Sequence, residues 1–180
     1  MKTEKKYKLT DECITIGGYK LYRIESLKDF SWVKKGDKGG FIESEENLSH
    51  FNNCWVGGDA KVYDSAKVCG NAKVCGNARV FGYAVVGGNA VVSDDARVFG
   101  YAVVCGNAVV VNNADYIVFK NWWSSGRYFT WTRSNNMWRV GCFYGTGEEL
   151  IAKAYKDSEL SGREYERVVK YVETILKDNK

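Results

Sequence analysis

Apolar and polar positions recur with a period of six residues between Trp55 and Ala114. Valine occupies the second place of each of ten consecutive hexads, and alanine occupies the sixth. The alanine, one variable residue and the next valine alternate with period two, which places both apolar side chains on one face of a strand. Gly, Asp or Asn usually follows, and these residues tolerate the positive φ of a turn. Each hexad therefore predicts one short strand and one corner.

A longer period of eighteen residues is built on the hexads. Residues 79–96 and 97–114 agree at fourteen of eighteen positions. Three hexads per turn of a solenoid would explain this agreement. Stacked turns would bury every repeat valine and alanine in one interior, at roughly 1.5 to 3 kcal/mol for each valine. With three hexads in each turn, the hexads of residues 55–114 should form about three and a half coils.

The run of hexads resembles the hexapeptide repeat of left-handed β-helix proteins. This resemblance implies a mainly β fold, a single-stranded left-handed parallel β-helix of triangular section, for residues 55–114. Segments outside the repeat, among them GGFIESEENLSHF and MWRVGCFYGTGEELIAKA, resemble uncharacterised β-helix proteins of bacteria and phages that have a GCFYGTxEE-type tail. No established activity comes with this resemblance.

The segments on either side of the hexads are predicted to cap the solenoid. Residues 1–54 form the expected N-terminal β cap, with one or two strands in residues 19–30. Residues 115–180 are expected to form a β-hairpin that turns at residues 134–136, followed by two helices. Thr146 and Ser161 each precede a glutamate by three residues, the capping-box pattern that opens a helix. The predicted buried stripe of the second helix is Tyr165, Val168, Val169, Val172, Ile175 and Leu176.

Composition adds few constraints. A formal net charge of +4 neither favours nor excludes nucleic acid, and the N-terminal residues are not those of a signal peptide. The six cysteines have no paired zinc spacing. Cys69 and Cys105 are expected in one column about 10 Å apart, too far for a disulfide. We expect reduced thiols, a cytoplasmic location, no metal and no cofactor.

Enzymatic activity is not expected. Well-known left-handed β-helices include acyltransferases, which usually need a histidine base in a loop between coils, and carbonic anhydrases, which need three histidines on zinc. His50 is the only histidine, it precedes the first hexad, and no loop interrupts the hexads. We therefore expect His50 to cap the fold or lie on its surface. An acyltransferase-like activity is the disfavoured alternative.

A binding surface is the stronger hypothesis. Sorting the hexads by wall places a cationic column beside aromatic columns, a combination that suits a phosphate backbone, bases or an acidic protein surface. Stacked aromatic residues could equally serve to stabilise the solenoid. The candidates on the hexads are Lys61, Tyr63, Arg79, Phe81, Tyr83, Arg97, Phe99 and Tyr101. The predicted hairpin region adds Arg127, Trp131, Arg133 and Trp138.

The outward positions of the repeat become apolar toward its end. Val85, Val91, Val103, Val109 and Val111 should all point outward. An exposed apolar patch of this kind is normally covered. We expect the C-terminal region, a second subunit, or both to cover it.

The sequence thus predicts a non-enzymatic binding or scaffold protein that engages a macromolecule. A protein or ribonucleoprotein is the expected partner, with no membrane association; direct nucleic-acid binding and a homodimer or homotrimer remain open. The resemblance to phage proteins suggests a narrower alternative, an anti-CRISPR-like inhibitor of a host defence nucleoprotein. DNA mimicry is disfavoured because a mimic should be strongly acidic, whereas this chain is basic.

Overall fold

The structure, a computed structural model, describes residues 4–178. The chain divides into two compact units, one built from residues 4–117 and 132–135 and the other from residues 118–131 and 136–178. The strands of the first unit before the hexads are β1 (Tyr7–Ile16), β2 (Tyr19–Ser26) and β3 (Lys38–Ile42). Those on the hexads are β4 (Trp55–Val56), β5 (Lys61–Val62), β6 (Lys67–Val68), β7 (Lys73–Val74), β8 (Arg79–Val80), β9 (Val85–Val86), β10 (Val91–Val92), β11 (Arg97–Val98), β12 (Val103–Val104) and β13 (Val109–Val110).

The repeat strands form three walls of a β-solenoid. Wall 1 contains β3, β5, β8 and β11, wall 2 contains β4, β7, β10 and β13, and wall 3 contains β6, β9 and β12. Strands pair in parallel with residues eighteen positions apart, as Lys61 does with Arg79. The repeat valines from Val56 to Val110 are all buried, which confirms the predicted strand and solenoid. Ala114 was expected in the core but is exposed, because the chain leaves the repeat there in a 3-10 turn at Asn113–Asp115.

The first coil begins before the hexads. Phe41 pairs with Lys61 and Leu48 bridges Val68, both twenty residues apart, whereas Trp55 pairs with Lys73 at the regular spacing of eighteen. Two additional residues therefore lie between Leu48 and Trp55. With this irregular coil the solenoid has about four turns, rather than the three and a half expected from the hexads alone.

An antiparallel hairpin of β1 and β2 leads into the solenoid. Strands in the N-terminal cap were expected only from residue 19 onward, so β1 is an additional strand. The entirely buried Lys6 precedes β1 and donates a hydrogen bond from Nζ to the Cys54 carbonyl at 2.7 Å. Burial lowers the pKa of the Lys6 ammonium group, which the nearby Cys54 side chain partly offsets. This contact ties the residue before β1 to the segment that leads into the first regular coil.

The second unit combines a small sheet with two helices. The sheet contains β14 (Tyr116–Lys120), β15 (Tyr128–Thr132), β16 (Met137–Val140) and β17 (Phe143–Gly145), arranged in that order. Residues 116, 117 and 132 of these strands are counted with the first unit. The predicted turn between β15 and β16 is confirmed, and so is the capping box of Thr146 at the start of α1 (Gly147–Asp157). Helix α2 (Glu159–Asp178) begins earlier than the predicted Ser161, because the Ser158 hydroxyl already accepts the Ser161 N–H at 3.1 Å.

The buried face of α2 follows the predicted spacing through Tyr165, Val169 and Val172, while Val168, Ile175 and Leu176 are half-buried. Over residues 4–178, neither helix is both long enough and apolar enough to cross a membrane.

Two corner glycines offer a matched test of how tightly the coils stack. Gly88 and Gly100 have similar φ angles of +63° and +66°, but a Cβ on Gly88 would lie 2.8 Å from the Gly106 nitrogen, whereas one on Gly100 would meet nothing within 4 Å. Alanine should cost about 1 to 2 kcal/mol at either site for the left-handed conformation. We expect Gly88→Ala to cost at least about 1 kcal/mol more, from the forced contact. Urea unfolding measures both losses, and equal losses would contradict the close packing.

Candidate interaction surface on wall 1

A column of three cationic side chains runs along the outside of wall 1. Lys61 pairs in register with Arg79, and Arg79 with Arg97, so the charges follow one another at the spacing of the coils. Lys61 donates a hydrogen bond to the backbone oxygen of Asp59. Neither Arg79 nor Arg97 forms an ion pair with any residue in the described part of the chain. Like charges at directly opposed positions of neighbouring strands disfavour folding, so the charges of this column do not stabilise the fold through one another.

An aromatic column lies two residues along the chain from the cationic one. The ring centroids of Tyr63 and Phe81 are 5.2 Å apart at an interplanar angle of 4°, and those of Phe81 and Phe99 are 5.2 Å apart at 8°. Tyr83 and Tyr101 stack at the next corner at 5.1 Å and 6°. The predicted columns are therefore confirmed. Phe81 has a ring on each face and presents mainly its edge to solvent, and ring edges carry partial positive charge. Within the described part of the chain, Phe99 is stacked on its Phe81 side only.

The N-terminal hairpin covers only the beginning of wall 1. Tyr19 extends the aromatic column, with its ring 5.2 Å from that of Tyr63. Ile14 and Ile16 pack against the buried cluster that contains Leu21 and Tyr63. Tyr63 is consequently buried, with 8% of its surface exposed, and burial raises the pKa of its phenol. Tyr63 is thus a core residue that supports the column and is not available to a partner.

The far end of wall 1 remains accessible. Phe81 is half-buried, Phe99 is 48% exposed and Tyr83 is 59% exposed. The cationic column has the same gradient, since Lys61 and Arg79 are half-buried and Arg97 is exposed. We call the set Arg79, Phe81, Tyr83, Arg97 and Phe99 the open end of wall 1.

Tyr116 fixes the backbone at this end. Its hydroxyl donates a hydrogen bond to the Arg97 carbonyl at 2.9 Å. Burial raises the pKa of the Tyr116 phenol, and a hydrogen bond with the Phe99 backbone lowers it in part. Tyr116 thereby satisfies a carbonyl at the edge of β11. The two side chains at the tip of the surface, Arg97 and Phe99, are held on a paired and ordered backbone.

The four candidates from the hairpin region are a buried pair and an exposed pair. Trp131 and Trp138 are 1% and 2% exposed and belong to the core of the second unit, so the expectation that they contact a partner is corrected. Apolar rings in a small sheet facing helices are buried first, because their transfer from water stabilises the fold most. Arg127 lies in the second unit and Arg133 in the first, and both are exposed.

His50 has a structural environment. Its Nδ1 accepts the Lys6 backbone N–H at 3.2 Å, its Nε2 lies 3.4 Å from a Glu45 carboxylate oxygen, and its ring stacks on Tyr7 with centroids 4.3 Å apart. Both ring nitrogens are thus engaged in holding the N-terminal strand against the first coil. Across residues 4–178, no group of three or more His, Cys, Asp or Glu side chains is arranged to hold a metal ion.

The outward valines are covered to different degrees. Val85, Val91 and Val103 are half-buried, whereas Val109 and Val111 are 41% and 38% exposed.

All six cysteines are free thiols. A Cβ placed on Gly87 would lie 3.2 Å from the Cys69 sulfur, as expected if Cys69 and Gly87 share one column.

The three walls and their registers define a β-solenoid protein with an exposed basic and aromatic surface. Residues 72–88 and 90–106 match the model of a family described as the YdcK beta solenoid repeat. This match supports a β-solenoid repeat over those stretches, which together cover less than half of the chain. A comparison with curated proteins finds no match.

Two contributors to the surface were missed in the sequence. Tyr19 lies in a stretch with strand alternation, but its contact with Tyr63 depends on where the hairpin folds. Tyr116 is the second residue after the last hexad, and only the end of the repeat could have suggested that its side chain would bond to the edge of β11.

Proposed function

We propose that this chain is a non-enzymatic binding protein that engages an acidic protein surface through the open end of wall 1. The observation that carries the proposal is the pair Arg79 and Arg97, which lie in register on adjacent coils without an ion-pair partner in the described chain. Their mutual repulsion is relieved when an anionic partner binds. Arginine beside exposed aromatic residues is the composition enriched at the centres of protein interfaces.

Charge and ring geometry favour a protein over nucleic acid. Contacts of two arginines with phosphates would give a salt dependence of only about −1.8 in log K against log salt, far below that of typical DNA-binding proteins. Bases stack on the faces of aromatic rings, and Phe81, in the middle of the column, has both faces occupied by neighbouring rings. Carboxylates can instead approach the guanidinium groups and the ring edges together.

A narrower form of the proposal takes the acidic surface to be part of a ribonucleoprotein. A phage-encoded inhibitor of a host defence nucleoprotein, as the sequence resemblance suggests, would act in this way. The reduced thiols suit the cytoplasmic location that such a role requires. Within this form, the inhibitor binds the protein component and not the nucleic acid.

Affinity capture from a bacterial lysate tests the class of partner. The tagged protein is incubated with lysate that has or has not been treated with nuclease, and eluates are analysed by mass spectrometry and light scattering. We expect one protein, captured near stoichiometric amounts, to survive nuclease treatment. Capture that disappears with nuclease would assign binding to nucleic acid, and a large assembly of the chain alone would favour a self-assembling scaffold; either result would overturn the proposal.

A further inference from the structure

The second unit contains a cavity of about 290 Å³ between its sheet and its helices. Trp131 and Trp138 of β15 and β16 line one side, and Val169 and Val172 of α2 line another. These four side chains are 1% to 3% exposed. The volume is at the small end of the range for ligand pockets, so an occupant would have the size of an amino acid and not of a nucleotide.

Polar groups at one side of this cavity are hydrogen-bond donors. The indole N–H of Trp131 is satisfied by Asn136 Oδ1 at 2.9 Å. By contrast, no residue in the described range 4–178 accepts a hydrogen bond from the indole N–H of Trp138, although this side chain is 2% exposed. Trp138 Nε1 lies 3.3 Å from the position that a Cβ on Gly147 would occupy, and Gly147 lines the cavity. The absence of a side chain at Gly147 leaves this N–H open toward the cavity.

The first turn of α1 adds backbone donors at the same place. The capping box uses the Thr146 hydroxyl to accept the Glu149 N–H and the Glu149 carboxylate to accept the Thr146 N–H. The N–H groups of Gly147 and Glu148, at the first two positions of the helix, are those that such a cap leaves without a partner. Together with the Trp138 N–H they favour a carboxylate, which the dipole of the helix also stabilises.

The rim of the cavity favours a positively charged group. Glu148 and Glu173 line the cavity and are exposed, and no Lys, Arg or His is among its described lining residues. Two carboxylates beside indole rings attract an ammonium group. The apolar surface of Trp131, Val169 and Val172 between donors and rim suits an aliphatic side chain.

From this arrangement we infer that the cavity is a binding site for a free α-amino acid with an aliphatic side chain, which is held as a zwitterion. The carboxylate accepts hydrogen bonds from the Trp138 N–H and the first turn of α1. The ammonium group lies toward Glu173, and the aliphatic group packs on the Trp and Val side chains. This inference does not depend on the proposed function of wall 1.

Calorimetric titration with L-leucine, N-acetyl-L-leucine and L-leucinamide tests the site, because each derivative removes one charge from the zwitterion. We expect saturable binding of L-leucine at millimolar concentration or below, and at least about tenfold weaker binding of both derivatives, which corresponds to about 1.4 kcal/mol or more. No saturable binding of L-leucine to the folded chain, or equal binding of either derivative, would overturn the inference.

Substitutions of residues that line the cavity test where L-leucine binds. Glu173→Gln should weaken L-leucine binding at least about fivefold, and Trp138→Phe, which keeps a ring but removes the N–H, should do the same. Glu159→Gln, on an exposed position of α2 away from the cavity lining, is the matched control and should bind as the unmodified chain does. If Trp138→Phe lowers the melting temperature, Glu173→Gln and the ligand series still decide the question. Unchanged binding in Glu173→Gln would place the ligand elsewhere and contradict the site.

Discussion

Replacing Arg79 and Arg97 together by glutamate is expected to abolish partner binding without weakening the fold. Interface arginines commonly contribute 2 kcal/mol or more each, so the double substitution should reduce affinity at least about 100-fold. The new carboxylate at position 79 would lie opposite Lys61, whereas the carboxylates at positions 79 and 97 would repel each other as the two arginines do in the unmodified chain. The free energy of unfolding should therefore stay unchanged or rise by about 0.2 to 1 kcal/mol, since one repulsive pair of the column becomes attractive and the other stays repulsive.

Charge-matched substitutions elsewhere provide the control. Lys67 and Lys153 are exposed, on wall 3 and on α1, and their replacement by glutamate changes the net charge by the same amount. This control should retain the captured partner in the same yield. Binding by calorimetry and unfolding by urea are measured for both variants. Retention of the partner by the Arg79→Glu, Arg97→Glu variant would remove wall 1 from the binding surface.

Loss of the Asp115 carboxylate is expected to have the largest effect on the solenoid itself. Asp115 follows the last coil, is 9% exposed, and accepts the backbone N–H groups of Val111 and Asn112 at 2.8 and 3.0 Å. Ser134 Oγ accepts the Val109 N–H at 2.7 Å, and Asn113 Oδ1 accepts the Arg97 N–H at 2.9 Å. These side chains satisfy N–H groups that a further coil would otherwise pair with, and an unpaired strand edge promotes association of chains.

Asp115→Ala should lower the free energy of unfolding by about 2 to 4 kcal/mol, because two partly buried N–H groups lose a charged acceptor. It should also produce larger species in analytical ultracentrifugation at micromolar concentration. Asp115→Asn keeps one acceptor oxygen at the same position and should lose roughly half as much stability. A stable, unassociated Asp115→Ala protein would show that the carboxylate does not protect this edge.

The repeat was readable from sequence because its information is local. Every hexad contains its own valine, alanine and turn residue, and the same pattern occurs ten times along the chain. The capping box at Thr146 is equally local, since both of its hydrogen bonds lie within four residues. These are the parts of the fold that the structure confirms.

The irregular first coil and β1 were missed for a physical reason. Phe41 and Leu48 occupy core positions through pairing with residues twenty positions away, and no hexad pattern is present there. Trp131 and Trp138 were predicted to contact a partner because tryptophan is frequent at interfaces. Composition does not specify which face of a strand meets a helix, and here both rings form the core.

The sequence also could not predict which rings of the aromatic column are exposed. Tyr63, Phe81 and Phe99 are equivalent in the repeat, but only Tyr63 is covered by the N-terminal hairpin. The cover depends on contacts between segments about forty residues apart, such as Tyr19 with Tyr63. The sequence thus predicted the column, and the structure shows which end of it is open.

Site-specific photocrosslinking tests the central claim most directly. A photoreactive phenylalanine analogue is placed at Phe99 or Tyr83, in the open end of wall 1, and at Tyr171 on α2, which is as exposed as Tyr83 at 59%. After irradiation in nuclease-treated lysate, we expect positions 83 and 99 to form an adduct with the same protein and position 171 to form none. An adduct at position 171 with none at positions 83 and 99 would contradict the assignment of the binding surface to wall 1.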